Sequence, residues 1–79
     1  RSLPADHRLF GEVEGVEVIR VDQGSPAWRN GLRQGDIITA VNRRPVASVQ
    51  ALTSAVGEAE SAIALNIIRD EGRLFIVIQ

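Results

Sequence analysis

The chain contains no cysteine, no methionine and no tyrosine, and all nine of its cationic residues are arginine. Without cysteine it has no disulfide and no thiolate metal site. Trp28, Phe10 and Phe75 are its only aromatics, so any core has to be aliphatic, built from Val, Ile, Leu and Ala. No apolar run approaches the ~18 residues a membrane span requires. Neither charge sign dominates: nine arginines face ten acids, for a formal net charge of −1. That balance leaves no basic footprint for nucleic acid and no polybasic attraction to anionic lipid.

Catalytic chemistry is equally sparse. His7 is the only histidine, and it lies in a polar opening segment where a solvated loop position is expected. No Gly-x-Ser-x-Gly elbow presents a nucleophile to it. One histidine with scattered carboxylates makes no metal site. The glycines are spaced for turns, with no phosphate-cradling pattern. No enzyme activity and no cofactor is expected of this chain.

What is present is the pattern of one small folded domain. Seventy-nine residues with 44% hydrophobic content suit a single domain, 1–79, and are too apolar for a disordered chain. The stability margin of so short a chain is thin. Arg1 rather than Met stands first, so the chain is expected to belong to a longer protein.

Residues 1–14 show weak periodicity and read as irregular, with room for a short strand. Gly15–Val21 is rich in β-branched residues and reads as a strand. Ser25-Pro26 is a helix start: the Ser side chain accepts from a free N–H, and Pro sits where its missing N–H is harmless. About one turn follows through Asn30, and Gly31 stops it. Leu32 then returns to the core. Asp36–Asn42 is a strand with Ile37, Thr39 and Val41 on one face and Ile38 and Ala40 on the other. Residues 42–45 form a turn. Ser48 caps a second helix whose Val49, Leu52 and Val56 make an apolar stripe, with Gly57 as its stop. Ala62–Arg69 and Arg73–Gln79 are strands joined by a three-residue loop, Asp70-Glu71-Gly72, with Gly in the left-handed position. Arg43-Arg44 and Asp70-Glu71 read as solvated tips.

The stretch QGSPAWRNGLRQGDIITAVNRRPV (Gln23–Val46) resembles the central signature of bacterial PDZ domains in the HtrA/DegP serine proteases. Gly24, Ser25, Pro26, Ala27, Gly31, Leu32, Gly35, Asp36, Ile38 and Asn42 match it, while Asn30 stands where that family often has Ala. The ending IALNIIRDEGRLFIVIQ is most similar to the second PDZ domain of DegP- or DegQ-like proteases. The resemblance implies an α+β, mainly β fold: a partly opened β-barrel of about five strands capped by two helices. It also implies the circularly permuted bacterial topology, with the final strand in the place of the usual first.

It further implies a periplasmic, non-catalytic module of a serine protease. Such a module binds unfolded segments or C-terminal peptides by strand addition. The alternative role is assembly, by docking onto a PDZ or protease domain of a neighbouring subunit. Val49, Thr53 and Val56 are the helix positions that would face the groove, although the two valines are equally compatible with plain core packing. For the carboxylate-binding loop two registers compete. In one, Leu9-Phe10-Gly11 forms it, but Glu12 then stands where an apolar residue is wanted and would repel a carboxylate. In the other, favoured here, Ser2-Leu3-Pro4 ends the ligand-pairing strand and the carboxylate loop precedes Arg1. Pro4 followed by Asp6-His7 resembles the strand exit of DegQ-like second PDZ domains. Leu3 is then a groove residue. Trp28, at a family position usually small or polar, is a candidate interface anchor; the bland reading has it covering the barrel end.

Overall fold

Two serine caps and a set of positive-φ residues divide the chain into its elements. The computed structural model describes residues 1–79. In order they form β1 (Val16–Glu17), α1 (Pro26–Arg29), β2 (Ile37–Val41), β3 (Arg44–Pro45), α2 (Val49–Glu58), β4 (Ile63–Arg69) and β5 (Gly72–Ile78). The five strands make one antiparallel sheet in the order β1-β2-β4-β5, with β3 paired to β2. This is the mainly β architecture with two helices that the sequence implies.

Ser25 Oγ accepts from the Trp28 N–H and caps α1, and Pro26 opens it. Gly31, at φ +106°, lets Leu32 turn back into the core. Ser48 Oγ accepts from the Ala51 N–H and caps α2. Leu32 packs with Val16, Val18, Ile38, Val41, Val46, Ala55, Leu65, Ile67 and Ile76 in an aliphatic core. α2 contributes Ala55 to it and lays Ala51 and Leu52 alongside.

Several local expectations need correction. β1 covers two residues rather than Gly15–Val21. Pairing continues through Val18, which bonds Asp36 and Gly35, and Ile19 then swings into solvent. In β2 a register shift between Ile38 and Ala40 breaks the alternation. Ile38 and Val41 therefore both enter the core, and Ile37 faces the other side of the sheet. Such a bulge puts two residues of one strand against one of its partner. The last hairpin closes through two residues, because Arg69 pairs with Gly72, and the positive φ falls on Asp70 rather than on Gly72. Gly57 lies inside α2, whose C-cap is Ala59. Leu52 packs on the core while Val49 and Val56 stay exposed, so the three do not share one environment.

Ile37 and Ile68 are paired, buried, and outside the main core. Ile68 sits under the segment 4–14, and Ile37 packs on Gly15 at its end. Leu9 and Val13 line one cavity with Ile68, and Arg8 donates to the Asp70 carbonyl at 2.8 Å. That segment is a string of turns, not mere connection. Gly15 is held by close packing: a Cβ there would fall 2.7 Å from Ile37 Cγ2 and 2.8 Å from the Ile38 carbonyl oxygen.

Candidate functional site

Arg1 and Glu17 exchange both main-chain bonds, at 2.8 and 2.7 Å, and Ser2 bridges Val16 in antiparallel register. Residues 1–3 thus extend the sheet beyond β1. Since Arg1 spends its N–H and C=O on Glu17, those of Ser2 point to the opposite, open edge. The side chains reinforce the pairing: Arg1 Nε donates to Glu17 Oε1 at 2.7 Å. His7 does not lie in solvent as expected. It is partly buried, its Nδ1 accepts from the Leu9 N–H, and its Nε2 lies 3.7 Å from Glu17 Oε2.

On α2, Val49, Thr53 and Val56 are spaced i, i+4, i+7 and form one stripe. All three are exposed, Val49 by 46% and Val56 by 38%. The stripe runs beside the Leu52 side that rests on the core. Solvent-facing aliphatic residues on an otherwise core-bound helix are what an open groove wall requires.

Leu3 is half-buried. It shares a cavity of about 330 Å³ with Ser2, Phe10, Gly11, Val13 and Ala47, among others. The structure thus brings Leu3 together with two residues of the alternative carboxylate loop, Phe10 and Gly11, and with the approach to α2. Val49, Thr53 and Val56 do not line that cavity. Leu9, Phe10 and Gly11 form a turn, with Gly11 at φ +86°. The N–H groups of Leu9, Phe10, Glu12 and Val13 all bond within residues 7–13.

Trp28 is half-buried. The Arg33 guanidinium lies 4.4 Å from its ring centroid and donates to the Trp28 and Leu32 carbonyls, so a cation covers one ring face. Arg44 is no free tip; it pairs with Glu58 of α2.

Sequence reasoning missed the buried ion pair behind α1. Asp36, 1% exposed, receives Arg69 Nε on Oδ1 and Arg69 Nη2 on Oδ2, each at 2.8 Å. It also accepts from the Arg33 N–H, and Arg69 donates to the Gly31 carbonyl. The hydrogen bonding that Arg69 donates to the Asp36 carboxylate raises the guanidinium pKa above its ordinary range, against the opposing effect of burial. No group of three or more His, Cys, Asp or Glu lies placed to hold a metal ion, and no helix is long and apolar enough to cross a membrane.

Residues 17–69 match the family described as PDZ domain. The chain is 35% identical over 69 residues to the periplasmic serine endoprotease DegP of Salmonella typhimurium, covering 87% of this chain and 14% of that protein. It is 29% identical over 75 residues to the periplasmic pH-dependent serine endoprotease DegQ of Escherichia coli, covering 95% of this chain and 16% of that one. The chain thus spans about one-seventh of the length of these relatives. Among solved structures it is similar to the HtrA3 PDZ domain bound to a phage-derived ligand, FGRWV. The TM-score is 0.76 and the identity 37%, over 82% of this chain and 58% of that one.

Proposed function

We propose, on the premise that this chain belongs to the PDZ domain family and to its HtrA/DegP branch, that it binds an extended peptide by strand addition at the Ser2–Leu3 edge. The chain is a binding module and holds no catalytic protease domain. The observation that carries the proposal is the exposed stripe Val49, Thr53 and Val56 on α2. Apolar side chains of an added strand pack against it, and main-chain bonds to Ser2 hold the strand in register. The peptide-bound HtrA3 domain supports the mode. The carboxylate-binding N–H groups are assigned to residues preceding Arg1, because four of the five donors of the Leu9–Val13 turn, all but the Gly11 N–H, are already bonded. By its relatives' names the module works in the periplasm, attached to a serine protease.

Titration of the ¹⁵N-labelled chain with peptides ending in an apolar residue tests this. Binding no tighter than about 100 µM is expected, since a few main-chain bonds alone reach only the millimolar end of the affinity scale. Val56→Glu should remove it without unfolding. Low-micromolar binding that Leu9, Phe10 or Gly11 substitutions abolish would instead make those residues the carboxylate loop.

A second reading, assembly against a neighbouring subunit's PDZ domain, draws on β5. That strand ends the sheet, and Phe75 on it is 64% exposed. A monomeric chain whose association with a second PDZ domain is unchanged by Phe75→Arg would remove this reading.

A further inference from the structure

The cavity beside Leu3 differs chemically from the α2 stripe. Its apolar lining comes from Leu3, Phe10, Val13 and Ala47, and Glu14 stands at its edge. Glu12 neighbours it on the same turn, and both carboxylates are exposed. Neither has a cationic partner: Arg8 is committed to the Asp70 carbonyl, Arg1 to Glu17 and Arg44 to Glu58. An apolar cavity with the unpaired Glu14 in its lining, and the unpaired Glu12 two residues away, complements a long aliphatic side chain with a positive head.

The cavity also lies on the path of the peptide. If the carboxylate end is held ahead of Arg1, the bound strand runs with its C-terminus at Arg1, and its earlier residues pass Leu3. Side chains along a strand alternate between faces. Ser2 pairs with Val16, which points into the core, whereas Arg1 pairs with Glu17, which shares the opposite face with Ile37. Leu3 follows Arg1 onto that opposite face, away from the main core. The cavity draws on both faces, with Leu3 on one and Ser2 and Ala47, next to the α2 cap, on the other, so peptide residues of either face pass it.

We propose that the cavity between Leu3, Phe10, Val13 and Ala47 is a second specificity pocket, which takes a basic side chain from a residue upstream of the peptide's C-terminus. The inference rests on the strand-addition reading above. It makes the module selective for segments that combine an apolar end with an upstream Arg or Lys.

The test is an NMR titration of the 79-residue chain with ten-residue peptides that share an apolar C-terminus. A single Arg, Glu or Leu is moved through the second to the seventh residue from that end. At one position Arg should bind more tightly than Glu by about threefold or more, the scale set by two exposed charge pairs. The Arg peptide should shift the Phe10 and Val13 resonances. In a Glu12→Gln, Glu14→Gln chain the Arg preference should vanish while the Leu peptide binds as before. Equal binding of Arg and Glu at every position overturns the pocket and leaves the groove standing. So does a preference that survives the double substitution. If no peptide of any series binds, the groove reading fails and the pocket falls with it. Peptides that bind, but as well to Val56→Glu as to the native chain, bring the same outcome.

Discussion

Replacing Asp36 tests how the turn after α1 is anchored to the last hairpin. The carboxylate takes three bonds at 2.8 Å, two from Arg69 and one from the Arg33 N–H, at a site 1% exposed. Removing one partner of a buried ion pair typically costs about 3–5 kcal/mol, mostly because the other charge is left uncompensated. Here the Arg69 side chain is 36% exposed and keeps its bond to the Gly31 carbonyl. Water can reach the stranded guanidinium, which places Asp36→Ala near the lower bound, at about 3 kcal/mol. Asp36→Asn keeps the volume and one acceptor oxygen, and about 2 kcal/mol is expected for the lost charge-assisted bonding. Against a total stability of roughly 4–12 kcal/mol for a chain of this length, either change is a large fraction. Urea denaturation monitored by Trp28 fluorescence measures both. A cycle with Arg69→Met should return a coupling of about 1–3 kcal/mol. An Asp36→Asn chain within about 0.5 kcal/mol of the parent, the range of ordinary surface substitutions, would refute the anchoring argument.

Leu32→Ala should destabilise by about 2–5 kcal/mol in the same assay, and a loss below about 0.5 kcal/mol would contradict its place in the core. Gly15→Ala should cost about 1–3 kcal/mol through overpacking against Ile37 and the Ile38 carbonyl, read as a fall in the urea midpoint; an unchanged midpoint would mean that the close approach relaxes freely. Gly24, at φ +84° with open space where a Cβ would stand, should lose only about 1 kcal/mol on change to Ala, from backbone strain alone. Incubated with casein and a serine-reactive probe, the chain should show neither cleavage nor labelling; labelling of a serine that depends on His7 would contradict its role as a binding module.

The region from Gly24 to Val46 was legible because its constraints are local. Ser25 caps the turn that follows it, Gly31 supplies one φ angle, and Leu32 and Ile38 are apolar where the chain turns inward. The β4–β5 hairpin was legible from Ile63, Leu65 and Ile67 at every second position and from the Asp70-Glu71-Gly72 turn signal. The β2 bulge was not, because alternation in Ile37–Val41 is broken by pairing with β4, some thirty residues later. The Asp36–Arg69 pair joins residues 33 apart in sequence, and nothing near either residue announces the other. Gly15 reads as a strand opener until Ile37 is seen to pack on it. In the candidate site, Val49, Thr53 and Val56 follow from the family resemblance, whereas helical spacing alone groups the two valines with Leu52, which packs on the core. The cavity at Leu3 did not, since it exists only because the 4–14 turns fold back beside the sheet edge.

Those turns lie against Ile68, which with its partner Ile37 forms a small apolar reserve outside the main core. The chain therefore stores its burial in two accounts of unequal depth. Segment 1–14 contributes no side chain to the ten-residue core, so amides there should exchange with solvent faster than those of β4. The edge that would receive a peptide belongs to this shallow unit. A ligand lying along Ser2 and Leu3 would tie the segment down, so part of its binding free energy would appear as slower exchange at residues it never touches, Arg8 and Leu9 among them.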